Sequence, residues 1–324
     1  MTNFEFMVDG FMLYCSSKNL AKKTLASYEQ SLKLFGMFLK DKFNITEIDM
    51  IHTNHIRHYI KNLQERGKYT VSVLPEKETI NSPKNRGDYN KKISTNTISN
   101  YTRNIKVFFN WLHKVEREIS KNPVEKIENI KPEIKQKKTL TPEELKNVFK
   151  SFNASTFHGF RNLIISKLLL DTGMRIGECL TLLPENVDLL HKSILITNPK
   201  NKQQRYVYFS SKMSTELKRW FQYRDRYSDS NFLFPTTKAT QLSIQNFEKS
   251  LKEAGKSVGI DIHPHQLRNN FAKYYILFGG DFSTLSKILG HSSVEVTQKA
   301  YLDFTDDEIR KKYQKHSPLN NMDI

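Results

Sequence analysis

Apolar residues recur at helical spacing through much of the first third of the chain. In "NLAKKTLASYEQSLKLFGMFLK", Leu25, Tyr28, Leu32, Phe35 and Leu39 share one face. "HTNHIRHYIKNLQERG" repeats the pattern with Ile56, Tyr59, Ile60 and Leu63, and Gly67 is placed to cap the helix end. Periodicity is then lost and turn residues accumulate, which predicts a long loop or small hairpin inserted near residues 68–94. "STNTISNYTRNIKVFFNWLHK" restores the helix, with Ile98, Tyr101, Ile105, Phe108, Phe109 and Leu112 as a wide apolar stripe. "NPVEKIENIKPEIKQKKTL" carries two prolines and little apolar periodicity. It reads as a linker over 126–139, between a helical domain at 1–125 and a second domain from 140.

The second domain is mixed. "TPEELKNVFKSF" opens on Thr141 followed three residues later by Glu144, the pattern of a capping box. "FRNLIISKLLLDTGMRIGECLTLLPENVDL" is helical on both sides of a break at "DTGMR". "KSILIT" and "QRYVYFS" are two short β-rich runs around "NPKNKQ", a predicted hairpin. "HPHQLRNNFAKYYILFGG" is a proline-started helix ending in two glycines, and "DFSTLSKILGH" is another short helix. Thr305 and Glu308 repeat the capping box in a tail at 305–324. The expected class is mainly α with a small β-sheet.

Charge changes the picture. Lys and Arg number 51 against 34 Asp and Glu, giving a formal charge of +17 and a pI near 9.6. A folded chain this basic meets a polyanion, nucleic acid being the commonest. From Lys91 to Val115 there is no acid at all. That stretch, with Lys91, Lys92, Thr102, Arg103 and Lys106, is the expected DNA-contacting face of the first domain, and Lys202 and Arg205 are expected to contact DNA from the second. Cys15 and Cys179 match no metal or redox spacing, which fits a reducing cytoplasm. The first residues carry Glu5 and Asp9 and no basic leader, so no signal peptide is expected. No apolar run is long enough to span a membrane.

Singly, the polar residues of the second domain are weak signals: Arg175 after "DTGM", His265 and Arg268 three apart in "HQLR", His291 after Gly290, and Tyr301 ten residues later. Jointly, "TGMRIGECLTLLPENVDL", "HQLRNNFA" and "LGHSSVEVTQKAY" resemble the signature boxes of the tyrosine recombinases. That family of site-specific integrases includes phage and transposon integrases and the Xer recombinases. The resemblance runs from Thr141 to about Phe304, with the boxes in the family's order and 23 residues between Arg268 and His291. The first domain resembles the family's core-binding domain in character only.

The resemblance implies a catalytic domain at 140–304 and a set of roles. Arg175 and Arg268 match the two family arginines, His265 and His291 the two histidines, and Tyr301 the nucleophile. The family lysine lies in a hairpin turn, which points to Lys200, with Lys202 as the alternative; the usual glycines of that turn are replaced by Asn198, Pro199 and Asn201. It implies cutting and rejoining of duplex DNA at specific sites through a 3′-phosphotyrosyl link and a four-way junction, by four protomers, without a cofactor. Accessory or partner recombinase proteins belong to the same expectation; in resembling proteins such a tail packs on a neighbouring protomer, and the sequence leaves docking in cis or in trans open for this one. The setting expected is integration or excision of a mobile element.

The chemistry agrees. Guanidiniums hold phosphate oxygens bidentately and stay charged, stabilising developing charge. A phenol with a pKa of about 10 needs a base or a strongly positive site to attack at neutral pH. Two other readings are weighed: a type IB topoisomerase using the same chemistry, and a non-catalytic DNA-binding protein. A zinc site at His263, His265 and His291 lacks a completing ligand spacing. Family members commonly place the tyrosine nine residues after the last histidine. Here the spacing is ten, and one extra residue turns a helical side chain by about 100°. Irregular backbone is therefore expected between Gln298 and Tyr301.

Overall fold

The computed structural model describes residues 1–73, 82–130, 139–197, 204–291, 293–301 and 304–317. They fall into two compact units, Met1–Lys135 and Gln136–Ile324. No described helix is long and apolar enough to cross a membrane.

The first unit is built on four helices, α1 (Asn3–Ser17), α2 (Lys22–Phe43), α3 (Thr53–Glu65) and α4 (Thr95–Trp111). α1 starts at Thr2, whose hydroxyl accepts from the Glu5 amide while the Glu5 carboxylate accepts from the Thr2 amide. Its buried residues Phe4, Val8, Phe11 and Cys15 follow helical spacing. They meet Leu32, Phe35 and Leu39 of α2, Tyr59 of α3 and Phe108 of α4 in one aromatic-rich core. Phe11 and Phe108 stack edge-on at 5.5 Å, and Phe35 and Tyr59 lie 5.1 Å apart. Each buried side chain of this size stabilises by roughly 1.5–3 kcal/mol. Asn104 of α4 ties the helices together by donating to the hydroxyls of Ser27 and Ser31 on α2.

The insertion is closed at its base by a bridge between Gly67 and Lys92 and by backbone hydrogen bonds of Lys68 with Lys91 and Asn90. Gly67 does not cap α3, because Arg66 already turns extended there. Gly67 is needed for a different reason: a Cβ would lie 2.7 Å from the Asn90 Cα. The expected linker also begins later than its composition implies. Val124 and Ile127 are buried in the first core, and Lys106 donates to the Ile127 carbonyl at 2.7 Å.

The second unit holds α5 (Pro142–Lys150), α6 (Phe157–Thr172), α7 (Ile176–Cys179), β1 (Val187–Asp188), β2 (Ser193–Ile196) and β3 (Arg205–Tyr208). Then come α8 (Ser211–Tyr227), α9 (Ile244–Lys256), α10 (Pro264–Leu277), α11 (Phe282–Leu289), α12 (Val294–Tyr301) and α13 (Asp306–His316). The Thr141–Glu144 capping box forms in both directions. The strands make an antiparallel sheet in the order β1-β2-β3, with Ile196 opposite Arg205 and Ser193 opposite Tyr208. α6 is apolar around most of its circumference and is the core helix, packed between α8, α9 and α10. It ends at Gly173, in the left-handed region at φ +65, where a Cβ would meet the Phe271 ring at 2.2 Å. That tight ending delivers the chain to Arg175. The tail helix α13 opens with its capping box and rests on α10 of its own chain, through a 2.9 Å ion pair between Glu308 and Lys273.

Candidate active site

Three turns of the second unit converge. The first lies between α6 and α7, where Arg175 occupies the N-cap of α7. The second is the first turn of α10, where Pro264 fixes the helix start and Gln266 reaches back to accept from the His263 amide at 2.8 Å. The third follows α11, where Gly290 at φ +62 turns the chain into His291.

Arg268 joins all three. It is 3% exposed. One Nη1–H donates to the Gly173 carbonyl at 2.6 Å, two residues before Arg175. Nη2 donates to the Leu289 carbonyl at 2.8 Å and to the His291 ring at 3.1 Å. Since a guanidinium only donates, His291 Nε2 accepts. The other ring nitrogen, Nδ1, therefore carries the proton and donates to the hydroxyl of fully buried Thr297 at 2.8 Å. Arg268 and Thr297 together fix the plane and tautomer of the imidazole.

Glu178 organises the other side. Its carboxylate accepts from the Arg175 amide at 2.8 Å and from Arg175 Nη1 at 3.0 Å. It also accepts both ends of the Arg205 fork, at 3.0 and 2.8 Å. Burial alone would raise the Glu178 carboxyl, but hydrogen bonds from Arg205 and from Arg175 outweigh it and hold the group below the usual carboxylate range. Glu178 is therefore an anion that fixes the Arg175 backbone and side chain.

The structure thus brings Arg175, Arg268 and His291 into one network. His265, at the second position of α10, is on its exposed side. Lys200 and Lys202 lie outside the described residues, between strands whose pairing forms the predicted hairpin. Tyr301 is the last residue of α12. The irregular backbone expected before it is not found: α12 is α-helical from Val294 through Tyr301. The additional residue is carried inside a regular helix rather than extruded as a bulge.

Of the expected DNA contacts, one is corrected and two have partners within the chain. Thr102 is 1% exposed, because it stands four residues after Ile98 and three before Ile105 and so falls inside the apolar stripe. Lys106 is turned onto Ile127 and Asn129. Arg205 is committed to Glu178 and to the Ile288 carbonyl at 3.0 Å. Lys91, Lys92 and Arg103 are exposed. Glu178, Thr297 and Gly173 were missed. Only Glu178 left a trace in sequence, as an acid three residues after Arg175, where a capping residue belongs.

The model described as the phage integrase family matches residues 138–308, more than half of the chain. The chain belongs to the phage integrase family. A second match, to the SAM-like N-terminal domain of phage integrases, covers residues 8–74. This integrase-family chain is 24% identical to the tyrosine recombinase XerC of Oceanobacillus iheyensis over 99% of both chains. It is 29% identical to XerC of Bacillus subtilis over 71% of this chain and 77% of that one. In fold it resembles the Tn1549 transposon integrase solved with a circular intermediate DNA, with a TM-score of 0.73, 18% identity, and coverage of 97% and 100% of the two chains. It is a tyrosine recombinase, an enzyme of DNA strand breakage and rejoining.

Proposed function

We propose that this recombinase integrates or excises a mobile element by cutting and rejoining two specific duplex sites, four protomers acting through a four-way junction. The observation that carries the catalytic part is Arg268, which reaches from α10 to the Gly173 turn that presents Arg175 and to His291. A scissile phosphate held there meets two permanently charged guanidiniums, and its pentacoordinate transition state gains more than its ground state does. Tyr301 is the nucleophile. Its Oη attacks phosphorus, its proton passes to His265, and the 5′-oxygen leaves with a proton from Lys200 or Lys202. The 3′-phosphotyrosyl bond keeps the phosphodiester energy, so a 5′-hydroxyl from the partner duplex reverses the step without ATP. Lys91, Lys92 and Arg103 supply phosphate contacts from the first unit.

The mobile-element setting rests on the insertion between α3 and α4. A second reading, resolution of chromosome dimers, is favoured by the end-to-end match to XerC. The test begins with duplexes selected by the protein from a pool of genomic fragments. Two copies of the recovered site are then placed on one plasmid. Reciprocal exchange between the copies is expected. Relaxation of a plasmid without the site, and no exchange, would replace the proposal with a topoisomerase. A recovered site at an element boundary supports integration or excision; a single site opposite the replication origin would support dimer resolution.

A further inference from the structure

We infer that Arg205 is a positioning residue: it clamps the Arg175 turn and the Gly290–His291 turn to the first residue of β3, and it does not contact DNA. The inference rests on the proposed assignment of Arg175 and His291 to the site.

Three observations carry it. The guanidinium spends Nη1 and Nη2 on the two oxygens of Glu178, at 3.0 and 2.8 Å, and Nε on the Ile288 carbonyl at 3.0 Å. Its side chain is 12% exposed, while that of Arg175, which shares Glu178, is 29% exposed. The guanidinium also packs on Gly290, where a Cβ would lie 3.0 Å from Nε and 3.2 Å from Cζ. One planar group therefore fixes three segments far apart in sequence: α7 through Glu178, the end of α11 through Ile288, and the base of the β2–β3 hairpin through its own backbone. Arg205 opens β3 opposite Ile196, so the paired ends of β2 and β3 are held to the same clamp. A lysine cannot replace it, because an ammonium has neither the fork for Glu178 nor a separate Nε–H for Ile288.

The test compares Arg205→Gln, Arg205→Lys, Glu178→Gln and the Arg205→Gln/Glu178→Gln double variant. Two readouts are taken: salt-dependent affinity for a short labelled duplex, and single-turnover formation of the covalent adduct on a nicked duplex of the selected site. The clamp predicts adduct formation slowed about 10- to 100-fold in both Arg205 variants, the scale of a misplaced catalytic group. Affinity and its salt slope stay as in the wild type. The double variant should be no slower than the slower single variant, because both changes break one interaction. A salt slope reduced by about one in Arg205→Gln and restored in Arg205→Lys would mean a phosphate contact and overturn the inference. So would multiplying effects in the double variant, or wild-type rates in Arg205→Lys. Failure of the wild type to form any adduct would instead remove the proposed function, while the affinity measurement still decides whether Arg205 touches DNA. If Arg205→Gln does not fold, the adduct rate of Arg205→Lys decides: a slowed rate supports the clamp and a wild-type rate overturns it.

Discussion

Replacing Arg268 with lysine keeps the charge and removes the fork. Arg268 donates at 2.6 Å to Gly173, at 2.8 Å to Leu289 and at 3.1 Å to His291, in a position 3% exposed. The ammonium of a lysine sits at one point and cannot reach two carbonyls presented by separate turns. At least one buried carbonyl loses its donor, which costs about 1–3 kcal/mol. For a unit of this size each kcal/mol lowers the melting temperature by roughly 2–4 °C. The effect on chemistry is larger. On the proposed role of Arg268 at the scissile phosphate, the lysine also removes a transition-state donor, and adduct formation should fall about 10²- to 10³-fold. Thermal unfolding gives the first quantity and single-turnover adduct formation on the nicked site gives the second. A variant with the wild-type melting temperature and rate would refute the reasoning, for then the guanidinium neither pins the turns nor holds the phosphate.

The Thr102 hydroxyl is buried without a hydrogen-bond partner, so Thr102→Val should leave DNA affinity unchanged and stability unchanged or slightly raised, read by the same melting and binding curves. Replacing exposed Lys91, Lys92 and Arg103 together with glutamine should weaken DNA binding and reduce the salt slope by about two to three; an unchanged slope would remove this face from the interface. Glu178 is held below the usual carboxylate range. Its stabilisation is therefore complete above the ordinary value of about 4.3 and is lost as pH falls through the lower folded value. Glu178→Gln should melt well below the wild type at neutral pH, with the gap closing in acid. A gap constant from pH 7 to pH 3 would contradict the ionised bridge.

Sequence periodicity found the helices with broad apolar stripes, α2, α3 and α4; the proline start and closing glycines marked α10, and β-rich runs marked the hairpin. It passed over α8 and α9. Their buried residues, Met213, Leu217 and Trp220 in one and Phe247 and Leu251 in the other, form narrow seams in otherwise polar helices. α1 had a full stripe that was read only as a test for a leader peptide. In the site, Arg175, Arg268 and His291 were legible because their spacing resembles a family pattern. Glu178 and Thr297 were not, since their meaning comes from partners brought near by folding: Arg205, 27 residues from Glu178, and the His291 ring. Thr102 was misread for the same reason: its type suits phosphate, but burial decides its use. The extra residue before Tyr301 was legible as a departure, yet its absorption into a regular helix was not, because helix continuity depends on the packing around α12.

The central claim is that Tyr301, at the end of that helix, attacks the phosphate held by Arg175 and Arg268. The most direct measurement is peptide mapping of the covalent adduct formed on the nicked selected site, by the wild type and by Tyr301→Phe. The account predicts an adduct on Tyr301 in the wild type, and none in Tyr301→Phe although it still binds the DNA. An adduct that persists in Tyr301→Phe and maps to Tyr313, Tyr274 or Tyr275 would contradict it.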